Sequence, residues 1–536
     1  MKSNKKPSFL LNTMILTLAG GFARVLGAVY RIFLTRIIGD VGIGLYQMAY
    51  NLALVFMTVG MTGLPLAISK IVAEKTVEQD EKGTRKVLWL SMLVSSILGL
   101  LIAAMLGLGA PYWIEFNLKE PRALLPLQCI APAVFFVFLM APFRGYFQGK
   151  QNMIPRAVSD TVEQLVRVVM ILVLAMLFIG RGLETAAAGA ALGVSLGSAS
   201  GFLYLLFMYL HSNRKIEQTD SASIMDLPEE KAVTVLQRIL KLAVPVTLGS
   251  LIWPLMQFMD TLLITGRLQS SGFSVEEATT LFGRYSGQAG PLINMPSILT
   301  VAVAASLIPS ITEAMVRKDG VTMRSRANLA LKVSMLIALP AALGLNLLSG
   351  PVAQLLYGSA NAGNIIAVYS WVILFLLLYQ TSASILQGID RISLPVYSML
   401  VGVTVKSVLT YLLCAIPSIN IYGAAVATGI GFVIAVVMNL LAVYHYTDMK
   451  PDWHGLVIAP VISSILMGLT VYFGYPMLYH FTGSILISTG ISVMIGVMLY
   501  GAVLLLSGGL SRQELENIPK LGPAVLKILN RLQKQK

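Results

Sequence analysis

Apolar residues fall along this chain in fourteen long stretches separated by short polar or basic connections. They lie near 8–32, 45–68, 87–109, 123–147, 158–180, 186–210, 237–265, 281–314, 329–349, 364–388, 394–416, 421–445, 455–478 and 484–507. A helix needs about 20 such residues to cross roughly 30 Å of hydrocarbon. Backbone groups cannot stay unpaired in lipid, so stretches this long and apolar must be helices. The pattern predicts an all-α integral membrane protein of about fourteen transmembrane helices. The N-terminal run continues past a signal-peptide length with Arg24 inside it and no small-residue cleavage site, so it is expected to be the first membrane helix.

The longest hydrophilic stretch, 211–231, separates two halves that echo one another. Gln148-Gly149, Pro155, Arg167 and Ala188-Gly189-Ala190-Ala191 in the first half correspond to Gln387-Gly388, Pro395, Lys406 and Tyr422-Gly423-Ala424-Ala425 in the second. Gly44-Leu45-Tyr46 likewise corresponds to Gly283-Arg284-Tyr285. The expected organisation is an N-terminal lobe over 1–225, a C-terminal lobe over 226–449, a further helix pair over 450–510 and a basic cytoplasmic tail over 511–536. The last residues of the tail, 523–536, have the spacing of an amphipathic helix on the inner leaflet. Two six-helix lobes of equal orientation form a parallel repeat, a plan that secondary transporters use around a central substrate site.

Composition agrees with a membrane location: 56% of residues are hydrophobic, only 12% are charged, and the mean hydropathy is +0.77. In a soluble protein a net charge of +14 would point to nucleic acid. Here the basic residues belong to alternate connections. With the N-terminus inside, 29 of the 39 lysines and arginines are cytoplasmic and five lie in outer loops. The expected location is therefore the cell membrane, multi-pass, with both termini cytoplasmic and no nucleic-acid partner. Two isolated cysteines and four scattered histidines suggest neither a disulfide framework nor a metal site.

The remaining five cations lie inside the apolar stretches: Arg24, Arg31, Arg167, Arg284 and Lys406. A charge there costs about 2.5–3.5 kcal/mol on insertion scales and is a functional hypothesis by default. Arg24 and Arg31, seven residues apart, share one face of the first helix, among Gly20, Gly21, Gly27 and Ala28. Guanidinium groups there suit the oxygens of an anionic, phosphate-bearing headgroup, and Arg284 and Lys406 are candidates for the same role. Glu163 precedes Arg167 by four residues and can pair with it; together with Asp260 these are candidates for pairing or for ion coupling. Gly63 and Pro65, and Pro296 and Pro309 in the matching helix of the second half, mark candidate gating kinks. No phosphate-binding loop and no catalytic constellation occurs, so no enzyme activity and no cofactor is expected. Translocation would draw on an ion gradient (sodium or protons), on the membrane potential or on the substrate gradient.

Four motifs carry a family resemblance. Ala23-Arg24-Val25-Leu26-Gly27 with Arg36-Ile37-Ile38-Gly39, Gly63-Leu64-Pro65-Leu66-Ala67-Ile68-Ser69-Lys70, Phe143-Arg144-Gly145-Tyr146-Phe147-Gln148-Gly149 and Leu307-Ile308-Pro309-Ser310-Ile311-Thr312-Glu313 resemble the lipid-linked oligosaccharide flippases of the multidrug/oligosaccharidyl-lipid/polysaccharide exporter superfamily. The resemblance is strongest to the branch containing stage V sporulation protein B and the Gram-positive MurJ-type flippases. It implies translocation of an undecaprenyl-pyrophosphate-linked cell-wall or polysaccharide precursor, such as lipid II, by alternating access. It also implies a pyrophosphate-holding role for Arg24 and a lipid-tail groove along helices thirteen and fourteen. Tyr30-Arg31 stands where the Gram-negative branch has an Arg-Asp pair, so that part of the site does not carry over. The alternatives are a cation-coupled multidrug exporter of the same superfamily, which would need an acidic cavity, and a non-transporting membrane scaffold for wall synthesis.

Overall fold

A computed structural model describes residues 9–217, 230–450 and 452–509. The expected tail lies outside the described residues, and so does the side chain of Arg24, whose backbone belongs to the first helix. The long helices are α1 (Phe9–Met61), α2 (Gly63–Val77), α3 (Glu81–Leu108), α4 (Leu124–Gly149), α5 (Ile154–Phe178), α6 (Leu183–Glu217), α7 (Ala232–Ser270), α8 (Val275–Phe282), α9 (Ser297–Val316), α10 (Gly320–Leu347), α11 (Val372–Gly388), α12 (Ser393–Leu413), α13 (Tyr422–Thr447), α14 (Ala459–Thr482) and α15 (Ile485–Leu506). No strand occurs among the described residues.

Among the described residues, twelve helical stretches are long and apolar enough to cross a membrane. Two irregularities account for the difference from fourteen. First, α1 runs for 53 residues, about 80 Å at 1.5 Å per residue and far more than one crossing. It breaks at Gly39, whose φ of 66° and ψ of −172° are open essentially to glycine alone. A β-carbon at Gly39 would meet nothing within 4 Å, so backbone conformation and not packing requires glycine there. Second, the stretch expected as one helix over 281–314 is divided. A widened turn over Gly283–Ala289 follows α8, then the short helix Gly290–Asn294, and Pro296 caps α9. Pro291 and Pro296 each remove a backbone donor, which is why the segment does not run straight.

Gly63 and Pro65 take positions different from a mid-helix kink. Thr62 separates α1 from α2, so Pro65 stands in the first turn of α2, where its missing N–H costs little. Gly63 lies against α7: a β-carbon there would be 2.0 Å from Thr247 Oγ1 and 2.4 Å from the Ala243 carbonyl. Pro309 is inside α9.

The chain forms two compact units. The first comprises Met1–Met295 with Val405–Ala427. Its α4 is buried along most of its length, through Phe138, Phe143 and Tyr146. Glycines 189, 193, 197 and 201 make a stripe on α6 that lets α5 approach at backbone distance. A β-carbon at Gly193 would be 2.5 Å from the Ile171 nitrogen, and one at Gly197 2.6 Å from Arg167 Cβ. Small residues at four-residue spacing are the usual means of close helix approach in lipid.

The second unit comprises Pro296–Thr404 with Thr428–Lys536. Leu307 and Ile311 of α9 pack with Ala327 and Leu331 of α10 and Ile385 and Leu386 of α11. Buried hydroxyls and amides link its helices where lipid could not satisfy them: Ser398 donates to Asn439 Oδ1 at 2.7 Å, and Asn439 donates to Ser382 at 3.3 Å. The α14–α15 hairpin joins α10 through Met467, Val471 and Tyr500, whose hydroxyl donates to the Leu336 carbonyl at 3.0 Å. Its other face, with Phe473, Leu486, Met494 and Val497, is exposed and apolar, as a lipid-facing surface must be.

Candidate functional site

Most of the intramembrane charges expected to matter meet partners within the first unit. Among the described side chains, Arg31 on α1 is the exception. Its guanidinium lies over the rings of Tyr30 and Tyr50, 5.9 and 5.7 Å from their centroids, and its Nε donates to the Tyr30 hydroxyl at 3.4 Å. Tyr30 and Tyr46 exchange a 3.1 Å hydrogen bond, and Tyr46 stacks on Tyr50 at 5.8 Å. Among the described residues no carboxylate lies within ion-pair distance of Arg31. Aromatic faces attract a cation through their quadrupole but do not neutralise it. One turn earlier, a β-carbon on Gly27 would lie 3.7 Å from Gln164 Nε2, so this part of α1 borders the polar side of α5.

That side of α5 holds a buried network. Arg167 donates to Glu163, as the four-residue spacing predicts, and to Ser198 Oγ of α6 at 3.3 Å. Glu163 and Asp160 are also bridged by one nitrogen of Arg144, at 2.8 and 2.7 Å. Sequence reasoning assigned Arg144 to a cytoplasmic connection; it is buried on α4. No local pattern marked it, since α5 carries two arginines, Arg156 and Arg167, beside its two carboxylates.

Arg284 lies in the widened turn after α8, where its Nε donates to Asp40 Oδ2 at 2.6 Å. Gln288 donates to the other oxygen of Asp40 at 2.6 Å. The two segments meet at backbone distance: a β-carbon on Gly283 would be 2.1 Å from the Asp40 carbonyl and 3.2 Å from Gly44 Cα. One on Gly44 would be 2.5 Å from the Thr279 carbonyl. The two glycines matched across the sequence repeat thus face one another. Deeper in the same unit Gln47 and Asn51 donate to Ser286, and Asn51 also to Thr261, at 3.0–3.4 Å.

Lys406 of α12 is buried and donates to Asp260 Oδ2 of α7 at 2.7 Å. Asp260 is therefore in a pair, and Lys406 and Arg284 are neutralised cations in this arrangement. The structure brings Arg31 and the Arg167 network to facing parts of α1 and α5, and Arg284 and Lys406 to separate ion pairs. Among the described residues no cluster of histidine, cysteine and carboxylates could hold a metal.

Comparison with known proteins agrees with the resemblance in the motifs. Residues 9–315 match the family described as "Polysaccharide biosynthesis protein". Stage V sporulation protein B of Bacillus subtilis is 29% identical over 530 residues, covering 97% of this chain and 100% of that protein. The lipid II flippase MurJ of the same organism is 28% identical over 484 residues, covering 86% and 87%. Among solved structures, lipid II flippase MurJ in an inward closed conformation superposes with a TM-score of 0.68 at 18% identity, over 91% of this chain and 98% of that one, which establishes the shared fold. A multi-pass helical membrane protein with this fold, matched over more than half its length by one family and along nearly all of it by such relatives, is a membrane transporter and not an enzyme: the chain belongs to the polysaccharide biosynthesis protein family.

Proposed function

We propose that the chain flips an undecaprenyl-pyrophosphate-linked cell-wall or polysaccharide precursor, of the lipid II kind, from the inner to the outer leaflet by alternating access. Arg31 carries the reading: a guanidinium within a membrane helix, bordered by tyrosines and without a carboxylate among the described residues, is a cation awaiting an anion. Arg24, seven residues earlier on the same helical face, would supply a second fork for a diphosphate. Arg284 and Lys406 would act mainly by holding helices through Asp40 and Asp260. The relative named as a lipid II flippase supports the substrate class. Both termini would be cytoplasmic, lobes 1–225 and 226–449 would alternate, Gly63, Pro65, Pro296 and Pro309 would serve the bending, and α14–α15 would guide the lipid tail. Export of cationic drugs is disfavoured because Asp40, Glu163 and Asp260 are each engaged by a cation.

Purified full-length chain in liposomes, offered fluorescent lipid II in one set and a cationic dye in another, tests this. Expected is lipid II translocation that Arg31→Ala lowers about 10- to 100-fold, with no dye export. Dye export without lipid translocation would overturn the proposal.

A further inference from the structure

Asp260 and Lys406 form a buried pair between two helices, and its geometry says which cation serves the carboxylate. The carboxylate accepts from Lys406 Nζ at 2.7 Å and from the Tyr285 hydroxyl. Lys406 is 2% exposed, and Asp260 is buried with it. The other titratable groups nearby are the buried Cys414 thiol and Arg267, which lies over the Tyr411 ring at 4.0 Å and donates to the Tyr411 carbonyl. A carboxylate so placed requires a positive charge beside it, because removing either member of a buried pair leaves an uncompensated ion.

Two kinds of cation can meet that need. A free alkali-metal ion does so with a shell of oxygen ligands, as hard cations require. An ammonium does so with one charge and three donors on a tether. Lysine occupies the position here. A second, independent observation lies one helical turn further along α12. Thr410 Oγ1 is fully buried and has no hydrogen-bond partner. A threonine hydroxyl in a membrane helix ordinarily returns to the carbonyl four residues back. This one does not, and stands on the helical face of Lys406 as an oxygen without an assignment.

We propose that the Lys406 ammonium permanently takes the place of a free alkali-metal ion at Asp260, and that removing it opens a sodium site built from Asp260 and the hydroxyls of Tyr285 and Thr410. The native carboxylate is then closed to sodium, and translocation does not draw on a sodium gradient through it. The inference rests on the transport reading only for this last consequence; the site itself is tested by binding, so the two can fail separately.

The experiment follows thermal unfolding of the purified full-length chain in sodium chloride and in choline chloride at equal ionic strength. The wild type should unfold at the same temperature in both salts. Lys406→Met should be stabilised by sodium, with a shift that grows with sodium concentration, as ligand linkage requires. Asp260→Asn combined with Lys406→Met should lose that shift, and Thr410→Val combined with Lys406→Met should weaken it at least tenfold in half-saturating sodium. In liposomes, lipid flipping by the wild type should be unchanged when sodium is replaced by choline. A saturable sodium shift in the wild type that Asp260→Asn removes would overturn the proposal, as would a folded Lys406→Met without any sodium response. Failure of both Lys406→Met and Lys406→Ala to accumulate in sodium-containing medium would also overturn it, because sodium should replace the missing charge.

Discussion

Gly283→Ala tests how the contact between the Asp40–Gly44 segment and the turn after α8 is built. The added methyl would start 2.1 Å from the Asp40 carbonyl oxygen and 3.2 Å from Gly44 Cα. Ordinary carbon contacts lie at about 3.5–4.0 Å, so the segments must separate by about 1.5 Å. Such overpacking costs about 1–3 kcal/mol. The separation also stretches the 2.6 Å bonds from Arg284 and Gln288 to Asp40, so the upper half of that range applies. At 1.4 kcal/mol per factor of ten, about 2 kcal/mol lowers the population of the packed arrangement roughly 30-fold relative to one in which the segments are apart. Thr279, fully buried beneath Gly44, reports on this directly. A cysteine at Thr279, in a chain with Cys129→Ser and Cys414→Ser, should be shielded from an impermeant thiol reagent and become reactive when Gly283→Ala is added. Lipid flipping should fall in step, because a cycle loses rate when one of its closed states is depopulated. Gly249→Ala is the control: its β-carbon meets nothing within 4 Å, and it should leave both readouts unchanged. Equal labelling and equal flipping in Gly283→Ala and Gly249→Ala would refute the reasoning.

Four further outcomes are expected. Arg31→Ala should leave the protein inserted and lower flipping about 10- to 100-fold, the value of one or two charge-assisted hydrogen bonds, with Arg31→Lys recovering part of it; full activity of Arg31→Ala in the liposome assay would remove the residue from the site. Arg144→Ala takes from Asp160 and Glu163 the cation they share, leaving Glu163 with Arg167 alone, and should cost about 3 kcal/mol, read as a loss of folded protein in detergent, while the added Glu163→Gln should restore part of it. A cysteine at Ser271 should react with impermeant reagent in intact cells and one at Gly320 should not; the reverse pattern would invert the proposed orientation. Asp319, outside the membrane helices, caps α10 through Thr322, whose hydroxyl and amide hold its carboxyl below the ordinary 3.8. A depressed value means that the cap's stabilisation is present above pH 4 and is lost as pH falls through the lowered value, so hydrogen exchange at Thr322 should accelerate only in that acid range.

The helical, membrane-spanning character of the chain was legible because lipid leaves the backbone no alternative, and composition alone reveals segments that must be buried in it. Local pairing was legible too: Glu163 and Arg167 stand one turn apart, and the structure joins them. What escaped were relations across distance. Lys406 is 146 residues from Asp260 and Arg284 is 244 from Asp40, and neither spacing has a local signature. Arg144 was misplaced because it closely precedes a polar connection, and α5 carries as many arginines as carboxylates, so charge balance gave no sign of it. The 281–314 stretch read as one apolar run because hydropathy is blind to the widened turn that Gly283 and Pro291 produce. Gly63 was expected as a bending point from its sequence context alone, and its close approach to α7 had no local signature.

The break at Gly39 has a mechanical consequence. Two membrane crossings that ordinarily communicate through a loop are joined here by one residue in a fixed backbone conformation. A loop stores displacement as slack; a single-residue joint stores almost none. A tilt of the segment that carries Arg31 would therefore pass to the segment that carries Asp40 and Gly44. Under the proposed function, substrate arriving at one end of this lever would be felt at the other without any intervening messenger.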